Sequence, residues 1–325
     1  MLVAHHLHAL LAAEDAAGRI VGEVVVLAAA NPIGLSQQVL GTAIGRFDLG
    51  DGVNFNRAVP ALTDAVAADV GSRLGFDAAV NVSLIRASLL AAAATWPAHT
   101  SAEHLKRHLL GLAMDADVVL DLHCENEGVV HLYALTPLEP ACRPLAALLG
   151  AQAVLLADES GGDPFDEACS RPWLLLQQRF PQYPIPLSCC AVTVELRGEA
   201  DVRHGLALDD AKAIVASMVV AGVISGDMPA MPAPRCQPSA LAAVEPVTAL
   251  TSGILVFHQA LGATVAPGSL VATITDPVSG TASLLHAKSA GVLFARESAR
   301  LVRAGRSVAK IAGTVQTRTG RLLGA

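Results

Sequence analysis

The chain has 325 residues, 53% of them hydrophobic and 16% charged, with a formal net charge of −7. That length suits one large domain plus a smaller one, or two of similar size. The acidic balance and the lack of any basic run exclude a nucleic-acid partner, because phosphate binding needs a concentrated basic patch.

Aromatics are only 3%, so the core is built from small and branched aliphatics, as in α/β proteins whose sheet is covered on both faces. The most apolar windows, residues 87–96 and 213–226, are shorter than the roughly 18–20 residues a bilayer span requires. They read as buried helices, and no membrane partner is expected. The N-terminus lacks the basic segment and cleavage site of a signal peptide. Six cysteines occur without a CxxC pair, which suits reduced thiols in a cytoplasmic protein.

In chain order, HHLHALLAAEDA predicts a helix stopped by Gly18. EVVVLAAANP (23–32) predicts a buried strand ended by Asn-Pro. Residues 34–60 read as a long glycine-rich loop, of the kind that is often functional. Residues 61–113 are helical by pattern, broken near Gly75 and at Trp96-Pro97, with Ser101 and Glu103 close to an N-cap signature. ADVVLDLH and VVHLYAL are strands, PLAALLG a helix and AQAVLLA a strand. An irregular, proline-bearing stretch precedes the strand CAVTVEL (190–196), and a helix over 209–224 closes the domain. This alternation implies a mixed or parallel sheet sandwiched by helices.

Five prolines in 226–246 mark a stiff linker. Beyond it, residues 247–274 and 284–311 form a weak repeat. Each copy has a small-residue turn, a Gly-aliphatic strand and Val-x-x-Gly before a closing strand. Two such halves make a small pseudo-symmetric β-barrel or sandwich resembling the biotinyl/lipoyl-carrier fold. The joining segment 275–283 has no lysine, so carrier function is not expected. The domains are therefore 1–225, a linker over 226–246, and a small β domain over 247–325.

Three stretches offer chemistry. Side chains alternate along a strand, so Asp121 and His123 share a face. That places a carboxylate near an imidazole or a metal ligand, or else merely closes a polar strand end. GRFDLGDGVNFNR (45–57) brings Arg46, Asn56 and Arg57 together in one loop. A guanidinium with a neighbouring amide suits a carboxylate ligand, and the plainer reading is a surface loop stitched by Arg–Asp pairs. Glu195 ends an aliphatic strand, where a carboxylate is either a general base tuned by a partly dry site or a solvated strand end.

In their order, Asn31-Pro32, the loop ending in NFNR (54–57), DLH (121–123) and TVEL (193–196) resemble the succinylglutamate desuccinylase/aspartoacylase family, relatives of the zinc carboxypeptidases. The resemblance covers nearly the whole chain, small β domain included. It implies a zinc-dependent deacylase acting on a small N-acyl amino acid, with a carboxypeptidase-type peptidase as the alternative within hydrolases. His123 would be a zinc ligand and Glu195 the base that activates the water. Asn56 and Arg57 would bind the substrate carboxylate, and Arg46 would stabilise the oxyanion, although it stands farther from NFNR than in the best-known members.

The family's other two zinc ligands lie in a His-Gly-x-Glu motif expected before the first helix, and no HGxE or HxxE occurs in residues 1–60. Two readings stay open: an N-terminally incomplete chain whose complete form carries the activity, or a degenerate homologue that binds a carboxylate without hydrolysing it. Weak or absent zinc binding is expected of this literal chain. A missing strand would expose a sheet edge and invite homo-oligomers. His5, His6 and His8 are substitute ligands only if the first helix does more than pack or face solvent. Glu125, Glu127 and His131 either shape the pocket or form a turn and the next strand. Cys124 points away from His123. Arg171 and Trp173 read as a loop at the substrate entrance.

Overall fold

The computed structural model describes residues 1–323. The chain opens with helices α1 (Leu2–Ala16) and α2 (Pro32–Ser36), then strands β1 (Gln38–Val39) and β2 (Thr42–Ala43). Helices α3 (Thr63–Val70), α4 (Ala78–Thr95) and α5 (Ser101–Ala113) precede strands β3 (Val118–Glu125), β4 (Glu127–Gly128) and β5 (Val130–Ala134). Then come α6 (Glu139–Leu149), β6 (Ala153–Leu156), α7 (Phe165–Arg179), β7 (Cys190–Gly198), α8 (His204–Val220) and β8 (Ser239–Ala240). The remaining strands are β9 (Val244–Thr248), β10 (Gly253–Phe257), β11 (Thr264–Val265) and β12 (Leu270–Thr275) in one half. The other half holds β13 (Ala282–His286), β14 (Gly291–Arg296), β15 (Leu301–Val302) and β16 (Ser307–Gly313).

The chain forms two compact units. The first takes residues 1–26, 122–157 and 193–322, and the second takes 27–121 and 158–192. Strands β3 and β7 each begin in the second unit and end in the first.

A five-stranded sheet runs in the order β3-β7-β5-β6-β8, with β5, β6 and β8 parallel. In the first unit α1 packs on α8 through the buried Leu7, Leu11, Ala211 and Ile214. The predicted first helix is present, and Gly18 ends it at φ +67°, the left-handed conformation glycine adopts at no steric cost.

The all-β part holds two antiparallel sheets, β13-β12-β10-β15 and β11-β14-β16-β9. Each sheet takes its short strand from the opposite half: β10 pairs with β12 and β15, and β14 pairs with β16 and β11. The repeat read from the sequence therefore appears as exchanged strands. Its glycines have matching physical reasons. A Cβ at Gly253 would meet Thr275 O at 2.4 Å, and one at Gly291 would meet Ala312 O at 2.2 Å. Gly268 and Gly305, which end the two Val-x-x-Gly runs, sit at φ +86° and +85°.

The buried Glu245 on β9 closes this part. Its carboxylate accepts from the backbone N–H of Lys288 (2.9 Å) and of Ser289 (2.7 Å) and from the Ser289 hydroxyl (2.6 Å). Glu245→Ala strands those donors and is expected to cost about 2–3 kcal/mol, read as a lower urea midpoint at unchanged slope.

In the second unit α3, α4, α5 and α7 bury Val66, Val70, Ile85, Leu89, Leu110, Trp173 and Leu176 in one cluster. The cap of α5 falls on Thr100 rather than Ser101, with Thr100 and Glu103 forming a reciprocal capping box. Asn81, fully buried, donates to the carbonyls of Gly75 (2.8 Å) and Pro184 (3.0 Å).

Three expectations fail. Residues 23–30 form no strand, and Val25 and Leu27 are exposed; β-propensity without a neighbour to pair with does not make a strand. The stretch before β7 contains the 15-residue α7 despite Pro172 inside it. Proline removes one helical hydrogen bond, and the burial of Cys169, Trp173 and Leu176 on one face outweighs that loss. Trp173 is therefore core rather than an entrance loop, and Arg171 pairs with Glu159. Helix α8 begins at His204, five residues early. Helix α4 is long and apolar enough to cross a membrane by length and composition, and its Ile85, Leu89 and Ala93 lie in the core cluster.

Candidate functional site

In the first unit three neighbouring strands, β3, β7 and β5, carry Glu125, Glu195 and His131. One ligand atom from each lies within 4.8 Å of the others. Pleating puts Glu125 on the same face as His123, one step farther along β3. His131 is fully buried, with its ring edge-to-face against Phe294 at 4.8 Å. Its Nδ1 lies 2.8 Å from the Val129 carbonyl oxygen. A carbonyl only accepts, so Nδ1 carries the proton and Nε2 presents a lone pair. Among the described residues that Nε2 is buried with no hydrogen-bond partner, and it lies 4.0 Å from Glu125 Oε1.

The all-β part supplies the surroundings. Lys310 on β16 forms an ion pair with Glu125. Strand β4, just beyond Glu125, pairs with β14, and the Phe294 carbonyl accepts from Val129 N at 2.9 Å. Glu127 holds Arg296 and Arg300, which both lie over the Phe257 ring. Burial pulls the Glu127 carboxyl upward, but hydrogen bonds from the two arginines outweigh it and hold it below the ordinary range.

Burial pushes His131 down to about 4, against the raising effects of the Val129 carbonyl and Glu125. The unfolded chain therefore binds more protons than the folded one between about pH 4 and pH 6.5. Stability is complete above that window and is lost as pH falls through it. In chelator-treated protein this group is expected to remove about 2 kcal/mol between pH 7.5 and pH 5. His131→Leu should abolish that part of the acid sensitivity in melting curves.

In the second unit the loop before α3 is held by amides. Asn31 caps α2 by accepting from Gly34 N (2.8 Å) and donates to Gly45 O (3.1 Å). Gln37 donates to the carbonyls of Ile44 (2.8 Å) and Phe47 (2.7 Å). Asn56 ties the loop to two elements: it donates to Asp121 Oδ2 on β3 (3.2 Å) and accepts from Phe165 N at the start of α7 (2.8 Å). The buried Lys106 donates to Arg57 O at 2.6 Å, and desolvation lowers its pKa. Arg46 lies over the Phe47 ring at 5.9 Å.

Comparison with solved structures decides the fold. A succinylglutamate desuccinylase/aspartoacylase family protein from Shewanella amazonensis matches with a TM-score of 0.83 at 23% identity, over 96% of this chain and 86% of that one. The fold is that of the succinylglutamate desuccinylase/aspartoacylase proteins. A second such protein, from Shewanella frigidimarina, matches with a TM-score of 0.83 at 22% identity, over 96% of this chain and 84% of that one. The product-bound ectoine utilization protein EutE (DoeB) from Ruegeria pomeroyi matches with a TM-score of 0.65 at 20% identity, over 96% and 80%. No protein-family model and no curated protein matches the sequence.

Within this desuccinylase/aspartoacylase fold, the residues picked out from the sequence fall into two groups. Glu195 and His123 lie in the first unit, and Arg46, Asn56 and Arg57 in the second. The structure brings Glu195 together with Glu125 and His131, and His123 is outside that donor cluster. Among the N-terminal histidines, His6 Nε2 lies 3.1 Å from His204 Nδ1 and the His5 ring flanks both. Lys106 and Lys310 were not singled out in the sequence. A lysine at a core-facing helical position was the available signal for the first, and none existed for the second.

Proposed function

We propose that the chain is a hydrolase that removes the acyl group from an N-acyl amino acid. The observation that carries this reading is Glu195 in a carboxylate–imidazole cluster on a deacylase fold. Glu195 takes the proton of the attacking water and passes it to the leaving amine. Arg46 stabilises the developing oxyanion, and Arg57 with Asn56 holds the amino-acid carboxylate. A reducing, cytoplasmic location belongs to the same proposal.

For zinc, the implied ligand set does not fit the residues present. His123 has its place on β3, but no His-Gly-x-Glu occurs in the sequence, so the steps above are written through the chain's own side chains. The second reading is a non-catalytic homologue that binds a carboxylate.

Arg57→Ala tests the substrate assignment. Losing a charge-assisted contact of about 1.5–3 kcal/mol is expected to raise KM roughly 10- to 100-fold while kcat changes little. An unchanged KM removes Arg57 from carboxylate binding. Faster release from C-terminal dipeptides than from N-acyl amino acids would favour a peptidase.

A further inference from the structure

We propose that Glu125, His131 and Glu195 form a divalent-cation site of this chain's own, different from the zinc ligand set the family resemblance implies. The proposal goes beyond the deacylase reading: it needs neither His123 nor turnover, and Glu195 acts as a ligand while the cation is bound.

His131 is the central observation. It is fully buried, and its Nδ1–H is committed to the Val129 carbonyl. Metal-ligating histidines almost always spend their other ring nitrogen in this way, which fixes the tautomer and aims the lone pair. Here the lone pair of Nε2 is buried without a hydrogen-bond partner among the described residues, an arrangement that is costly unless something accepts it. It faces two carboxylates rather than an N–H or O–H donor.

Donor chemistry points the same way. Glu125 and Glu195 bring two carboxylates to the cluster, and Glu125 also pairs with Lys310. A carboxylate accepts at about four lone-pair positions, so Glu125 can serve Lys310 and an ion together. One imidazole and two carboxylates suit a first-row divalent ion such as zinc. Tetrahedral zinc with bonds of about 2.1 Å sets its ligands roughly 3.4 Å apart. The donors, within 4.8 Å of one another, need only close by side-chain rotation. The three strands are neighbours in the sheet, so the ion would tie β3, β7 and β5 together across their side chains.

The test is a zinc titration of the full chain after stripping with chelator, followed by calorimetry and by the melting temperature. One equivalent is expected to bind and to raise the melting temperature. Cobalt(II) in its place should give visible d–d absorption. His131→Gln and Glu125→Gln, checked for wild-type melting without metal, should each weaken zinc roughly a hundredfold or more and remove the cobalt band. His123→Ala and the double variant His6→Ala/His204→Ala should leave stoichiometry and affinity unchanged.

No zinc binding by the wild-type chain overturns the proposal. So does normal binding by folded His131→Gln and Glu125→Gln, or loss of zinc in the surface-histidine double variant. Loss of zinc in His123→Ala alone also overturns it, while leaving the deacylase reading intact. Zinc bound as proposed with no hydrolysis of any N-acyl amino acid upholds this site and removes that reading.

Discussion

Glu195→Gln is expected to lower kcat for an N-acyl amino acid by about 10²–10⁴-fold, the usual contribution of a positioned general base. Glutamine keeps the size of the side chain and its hydrogen-bonding reach but cannot take a proton from water. Glu195 sits on β7 between the strands that carry Glu125 and His131. The substitution therefore changes the charge of the cluster without opening a cavity, and the melting temperature at neutral pH should move little. Metal content adds a second readout: Glu195→Gln is also expected to weaken zinc at the Glu125–His131–Glu195 site, of which Glu195 is a ligand. Near-normal turnover in a folded Glu195→Gln variant removes Glu195 from proton transfer.

Phe294→Ala is expected to cost about 3–5 kcal/mol, the range for emptying a fully buried aromatic position. Phe294 has no exposed surface. Its ring packs edge-to-face on His131, and such a pair adds about 0.5–1.5 kcal/mol beyond the buried area. The backbone contact to Val129 N survives the substitution, so the strand pairing should persist while the seat of the imidazole is lost. Phe294→Leu should recover most of the stability. A urea midpoint for Phe294→Ala close to wild type would show that His131 is held by other means.

Local pattern carried much of this architecture. The N-terminal helix with Gly18, the α3–α5 run, strands β3, β5, β6 and β7, and the repeat in the all-β part were all legible from periodicity and turn residues. Two failures share one cause, a long-range condition that local pattern cannot express. EVVVLAAA has every local property of a strand but lacks a partner. Residues 165–179 contain a proline that argues against a helix, yet the face carrying Cys169, Trp173 and Leu176 is buried.

The candidate cluster was partly legible. Glu195 was visible as a carboxylate at a strand end. His131 could be read either as shaping a pocket or as part of the next strand. Its nearness to Glu125 and Glu195 depends on β7 inserting between β3 and β5, although β7 follows them by more than fifty residues. A period of two tells which face a side chain takes, not which strand lies beside it. Lys310 is 185 residues from its partner Glu125, beyond any pattern.

The most direct test of the deacylase reading is release of free amino acid, followed by mass spectrometry, from a panel of N-acetyl and N-succinyl amino acids incubated with the chain, both without added metal and with one equivalent of zinc. Multiple turnovers on at least one member, lost in Glu195→Gln, are expected. Saturable binding of the same compounds with no amino acid released would contradict that reading and leave a carboxylate-binding protein on a deacylase fold.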